Sequence, residues 1–211
     1  MKTRIKICGL TREADVEAAV EVGADAVGFV FYPQSPRFVT PGRAAQLARY
    51  VPPLVSITAL FVNATPEEIE SVLELLPVSL LQFHGDETES ACRRWMRPYL
   101  RAVRMKPGLD LLQYATDFAS AHALLLDAFV EGYGGGGQVF DWSLIPSGLP
   151  KPLVLSGGLT PENVGEAIRR VRPAAVDVSS GVEVSKGIKD AAKIAAFVAA
   201  VRAADNEIKD V

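Results

Sequence analysis

Short aliphatic and β-branched runs alternate along the chain with longer stretches in which apolar residues recur at helical spacing. The runs predict eight strands, at Arg4–Ile7, Ala26–Val30, Ser56–Phe61, Leu80–Phe83, Tyr99–Val103, Ala123–Leu126, Pro152–Leu155 and Ala175–Val178. Between and after them the amphipathic stretches predict helices over Arg12–Val22, Pro41–Tyr50, Pro66–Leu75, Glu87–Met96, Leu109–Thr116, Pro161–Val171 and Ile188–Arg202. Two of these carry start signals: Thr65 and Thr160 as N-caps, each followed by a proline at the first helical position. The connection after Asp127 reads as loop, with a short helix around Asp141–Ile145. Regular strand–helix alternation argues for a parallel sheet. Eight units in 211 residues fit a compact (β/α)8 barrel of the α/β class, whose lower size limit is about 200 residues. An open doubly wound sheet is the structural alternative, but its glycine fingerprint is missing after the first strand, where Cys8-Gly9-Leu10-Thr11 stands. No linker or composition break divides the chain, so residues 1–211 are expected to form one domain.

Composition narrows the function without fixing it. The chain is 49% hydrophobic and 22% charged, with a net charge of −3 and no cationic stretch long enough to follow a nucleic-acid backbone. Nucleic acid is therefore excluded as a partner, and a small anionic ligand must be held by local features. The apolar runs are too short to span a bilayer, and Met1 to Ile7 lack the apolar core of a signal peptide. The two cysteines, Cys8 and Cys92, have no CxxC or Cys/His cluster around them. A disulfide framework and a metal site are not expected, and a cytoplasmic location is. A monomer and a homodimer are equally compatible with the sequence.

In a barrel, chemistry gathers where strands end and the following loops begin. Those positions hold Cys8, Arg37, His84, Asp127, Gly157-Gly158 and Ser179-Ser180-Gly181, while the strand interiors are aliphatic. That asymmetry points to an enzyme. Small-residue turns follow strands seven and eight, where barrels commonly hold phosphate: glycine lets backbone N–H groups approach the oxygens. Tight turns need small residues in any case, but two of them on adjacent strands favour phosphate.

Two readings of Cys8 stand. A lone cysteine is usually a small buried hydrophobe. Strand alternation, however, puts Arg4, Lys6 and Cys8 on one face, and a cation beside a thiol favours the thiolate, a competent base. Cys92 lies in a helical stretch and reads as structural. Asp127 is either a turn cap or a carboxyl kept protonated at the barrel mouth as a general acid. Arg37, behind Pro36, is either a solvated charge or a positioned fork for a carboxylate. His84 is either a turn residue or a substrate contact, and Asp177, inside the last strand, is a further candidate contact.

The segments Lys6-Ile7-Cys8-Gly9-Leu10-Thr11, Ser35-Pro36-Arg37-Phe38-Val39, Gln82-Phe83-His84-Gly85, Leu126-Asp127, Phe140-Asp141-Trp142, Leu155-Ser156-Gly157-Gly158-Leu159 and Val176-Asp177-Val178-Ser179-Ser180-Gly181-Val182-Glu183 closely resemble the phosphoribosylanthranilate isomerase family, in order, from first strand to last. The resemblance implies a cofactor-free Amadori rearrangement in tryptophan biosynthesis. It implies Cys8 as general base, Asp127 as general acid, Arg37 on the anthranilate carboxylate, and the turns after strands seven and eight on the phosphate. In one departure, Gly134-Gly135-Gly136-Gly137 stand where the family usually carries a serine or threonine, which implies a looser loop. A sister isomerase of histidine biosynthesis resembles a two-fold repeat with an aspartate after strand one, whereas this chain has Cys8 and no evident repeat. A non-catalytic phosphate-binding barrel would keep the glycine turns but have no need of the thiol and carboxyl.

Overall fold

A computed structural model describes residues 2–129 and 139–209. Eight strands, β1 (Arg4–Cys8), β2 (Ala26–Val30), β3 (Ser56–Phe61), β4 (Leu80–Phe83), β5 (Tyr99–Met105), β6 (Ala123–Ala128), β7 (Leu153–Leu155) and β8 (Ala175–Val178), pair in parallel in chain order. β8 returns to β1, with Lys6 beside Asp177, and closes the barrel. The helices are α1 (Glu13–Glu21), α2 (Pro41–Ala48), α3 (Pro66–Leu75), α4 (Glu89–Arg93), α5 (Leu111–Asp117), α6 (Val164–Val171) and α7 (Ala191–Lys209). The (β/α)8 architecture expected from the alternation is the one observed.

Alternation along each strand sorts the side chains. Ile5 and Ile7 of β1, Val27 and Phe29 of β2, Leu81 and Phe83 of β4, and Leu124 and Leu126 of β6 point outward into the apolar layer under the helices. The opposite faces fill the barrel: Leu100, Ala102, Ala123, Leu125 and Val154 form an aliphatic plug at its base. Above the plug the same inward registers carry Lys6, Gln82 and Asp177, all buried. Still higher come Cys8, His84 and Asp127. The step from aliphatic to polar along the barrel axis places chemistry at the C-terminal mouth.

Element boundaries differ where local hydrogen bonding competes with the helix. α3 begins as expected: the Thr65 side chain accepts from Glu68 N–H and the Glu68 side chain accepts from Thr65 N–H. Thr160 and Pro161 do not open α6. Asn163 accepts the Thr160 N–H and donates to the Gly158 carbonyl, making a turn that delays the helix to Val164. α4 is shorter than its pattern, running from the Thr88 cap only to Arg93. The last helical stretch starts late because Ile188–Lys189 (β10) pair antiparallel with Glu183–Ser185 (β9), a hairpin that no two-fold pattern announces. The helix near Asp141 is a single 3₁₀ turn, Trp142–Leu144, capped by Asp141. The glycine run at 134–137 lies outside the described residues. Among the described residues no helix is long and apolar enough to cross a membrane.

Candidate active site

A cavity of about 180 Å³ opens at the C-terminal ends of the strands. Its wall includes Cys8, Arg37, His84, Asp127 and Asp177, so the barrel brings all five sequence-selected side chains to one place. β1 and β6 are not neighbours in the barrel, so the thiol and the Asp127 carboxyl enter from different sides.

Cys8 is buried beside a buried ion pair. Lys6 Nζ donates to Asp177 Oδ1 at 2.8 Å, and both side chains are almost wholly removed from solvent. The Lys6 ammonium also lies close to the thiol, both packing against Gly28. It therefore lies between Asp177 and Cys8, and their two acidic partners hold its proton more firmly than usual, against the effect of burial. Lys6 does draw the thiol down, as its place on the same face suggests, but it does not prevail. Burial pushes the Cys8 thiol up, and the cations Lys6 and Lys189 only partly offset it, while Asp177 adds to the rise. Burial thus favours the thiol over the thiolate in the ligand-free enzyme.

Across the mouth, Asp127 Oδ1 accepts the N–H of Ala128 at 2.9 Å, and Oδ2 meets His84 Nε2 at 3.1 Å. His84 Nδ1 in turn meets Gln82 Nε2 at 3.1 Å. The loop behind His84 is tied down by Arg101, a residue the sequence gives no reason to select. Its guanidinium donates to the Phe83 and Gly85 carbonyls and pairs with Glu87.

Arg37 is not a solvated loop charge, being only 6% exposed. Nε and Nη2 donate to the two carboxylate oxygens of Glu183 at 2.7 and 2.8 Å, a bidentate pair that holds the guanidinium at the cavity wall. Glu183 also accepts from Lys189 Nζ at 2.8 Å, and the same ammonium donates to the Ser179 carbonyl at 3.0 Å. Arg37 and Lys189 together hold the Glu183 carboxyl below the usual range, although burial opposes them. Glu183 and Lys189 come from the β9–β10 hairpin, which is why Glu183 has no role in the sequence beyond its motif and Lys189 is not selected there. Pairing between two short strands of only three and two residues leaves little periodic signal.

The two small-residue turns flank the cavity through Gly157, Gly158, Ser179 and Ser180. Gly157 has a positive φ of 81°, and a Cβ there would stand 2.6 Å from the Ala128 nitrogen, so no other residue fits beside the Asp127 strand end. Gly181 is glycine for a different reason: a Cβ would collide with the Leu159 carbonyl oxygen, so it lets the two turns pack together. Val30, Leu60, Val62 and Tyr32 cluster around Cys8 and form an apolar wall suited to a flat ring. Among the described residues no group of three or more His, Cys, Asp or Glu is placed to hold a metal ion.

A closed (β/α)8 barrel with a thiol, a carboxyl and two glycine turns gathered at its C-terminal mouth has the make-up of a barrel enzyme. Residues 5–200 match the family model described as N-(5'phosphoribosyl)anthranilate (PRA) isomerase. The N-(5'-phosphoribosyl)anthranilate isomerase of Dechloromonas aromatica is 67% identical over 208 residues, covering 99% of this chain and all of the relative. That of Methylibium petroleiphilum is 63% identical, covering 99% and 98%. The solved phosphoribosyl anthranilate isomerase of Thermotoga maritima superposes with a TM-score of 0.86 at 43% identity, over 95% of this chain and 99% of its own. A phosphoribosyl anthranilate isomerase solved in complex with reduced 1-(o-carboxyphenylamino)-1-deoxyribulose 5-phosphate gives a TM-score of 0.83 at 41% identity, over the same shares. The chain belongs to the N-(5'-phosphoribosyl)anthranilate isomerase family.

Proposed function

We infer that the chain converts N-(5-phosphoribosyl)anthranilate to 1-(2-carboxyphenylamino)-1-deoxyribulose 5-phosphate, an aldose–ketose isomerisation that serves tryptophan biosynthesis. The family match across nearly the whole barrel carries this reading. Each proton that must move is assigned to a group at the mouth. Asp127 gives its proton to the furanose ring oxygen as the bond from that oxygen to C1 breaks, and the nitrogen lone pair closes a protonated Schiff base. Cys8, as thiolate, takes the proton from C2; the freed pair forms the C1=C2 bond and the iminium electrons return to nitrogen. The enolamine then takes a proton at C1 and gives up its C2 hydroxyl proton. The Cys8 thiol and the Asp127 carboxylate are the groups in place for those two transfers, which restore both to their starting forms. The thiol that burial keeps protonated gives its proton to solvent before this step, and the iminium charge that forms beside it favours the resulting thiolate, the form that the cycle then regenerates.

The phosphate is assigned to backbone N–H groups of Gly157-Gly158 and Ser179-Ser180, with Gly181 closing the packing behind them. Asp177 acts on the site through Lys6, and the apolar wall receives the anthranilate ring. One domain, a small anionic substrate and a cytoplasmic location complete the reading; both cysteines are free. Turnover of phosphoribosylanthranilate made in situ, followed by loss of its fluorescence, tests it. A purified, folded enzyme that leaves the signal unchanged overturns it.

The anthranilate carboxylate is assigned to Arg37. A charge-assisted bond of this kind contributes on the order of 1.5–3 kcal/mol, so Arg37→Ala is expected to lower kcat/KM about ten- to a hundredfold. Lysine restores only part of this, because an ammonium cannot reproduce the planar fork. The check is an analogue built on aniline, without the carboxylate: wild type handles it poorly and Arg37→Ala makes it no worse. Equal damage to both substrates would instead show that Arg37 acts by bracing Glu183.

A further inference from the structure

We propose that Gln82 is a positioning residue that fixes the tautomer of His84, so that an N–H and never a lone pair faces Asp127. The inference rests on Asp127 being the proton donor. Three buried side chains form a line: Gln82 Nε2, His84 Nδ1 at 3.1 Å, and His84 Nε2 with Asp127 Oδ2 at a further 3.1 Å. A neutral imidazole has one donor and one acceptor nitrogen, so whatever meets Nδ1 decides what Nε2 offers. An amide NH2 can only donate. It therefore makes Nδ1 the acceptor and puts the proton on Nε2, aimed at the carboxyl.

The other orientation of the amide carries a larger penalty. Gln82 Oε1 is buried and has no hydrogen-bond partner among the described residues. Turning the amide over would move the NH2 away from His84 Nδ1 and into that position, where no contact to a partner is seen for the amide among the described residues. Buried orphan N–H groups are rarer in folded proteins than under-satisfied carbonyl oxygens. Gln82 is fully buried above the aliphatic plug, so solvent cannot make up the loss.

This arrangement matters for a general acid. With a bare Nε2 lone pair, the nearest acceptor for an Asp127 proton would be His84 at 3.1 Å, and the carboxyl would spend its proton inside the protein. With Nε2–H in that place, Oδ2 accepts, and the proton that Asp127 holds remains available to the cavity. His84 and Gln82 need not touch the substrate to do this. His84 shares the layer of the acid, Gln82 lies one layer below, and together they set what it can give away.

The chain has only two histidines, and the other, His122, is exposed, so nitrogen NMR of the imidazoles reads the tautomer directly in the intact enzyme. With ¹⁵N-labelled histidine, and His122→Gln used for assignment, His84 is expected to show a protonated Nε2 and an unprotonated Nδ1. Gln82→Met, which keeps the length but cannot donate, is expected to lose that pattern. Its kcat should fall about 10- to 100-fold, the usual cost of removing a group that orients a functional side chain, with KM little changed. A wild-type His84 protonated at Nδ1 overturns the proposal without any variant. So does a Gln82→Met enzyme that keeps both the tautomer and kcat. Failure of the acid assignment is separate: it would show as turnover retained in Asp127→Asn while the wild-type tautomer remains as stated.

Discussion

Cys8→Ala lowers kcat by about three orders of magnitude and leaves KM within a small factor of wild type, because it removes the base while sparing the groups assigned to both ends of the substrate. Cys8→Ser does little better. A hydroxyl in the same buried position is a much weaker acid than a thiol, and burial disfavours its anion just as it does the thiolate. The environment of Cys8 adds a pH signature. Burial raises its titration above the ordinary thiol value, and it pushes Cys92 up to about 12. Raised values mean fewer thiolates at any given pH, so the substrate-free enzyme should be alkylated slowly by iodoacetamide near pH 7 and faster as the pH climbs above 9. Rapid alkylation of Cys8 at neutral pH would show that Lys6 outweighs burial. Near-normal turnover in Cys8→Ala would return the residue to the part of core filler.

Asp127→Asn is expected to be the other near-total loss. Asparagine keeps the shape and can still accept from the Ala128 N–H, but it has no proton to give the ring oxygen. kcat should fall by about two to four orders of magnitude while the thermal transition stays within a few degrees of wild type. Turnover retained in Asp127→Asn would assign proton donation to another group.

Much of the site was legible because its signals are local. Alternation within β1 put Lys6 and Cys8 on one face, and the barrel keeps them there. The positions of Arg37, His84, Asp127 and the two glycine turns followed from counting strands and asking what stands at each end. Boundaries were less legible where a side chain takes a backbone partner that the helix would otherwise use, as Asn163 does at the start of α6. Gln82 stood in a quoted motif without a role, because a glutamine in an aliphatic strand looks like a surface position until the barrel closes over it. Glu183 was part of a recognised motif, yet nothing adjacent to it reveals that it grips Arg37.

By itself, then, the sequence determined the order of strands, which residues face inward, and which of them reach the mouth, since these depend on period and on neighbours along the chain. Only the tertiary structure decided the pairings. Lys6 meets Asp177 across 171 positions, Arg37 meets Glu183 across 146, and His84 meets Asp127 across 43. It also decided the ionisation of Cys8, in which burial outweighs the lysine two residues away. The reason is that charge–charge energy and desolvation depend on distance and solvent access through space. Both are set when β8 closes onto β1, and no stretch of the chain carries that information alone.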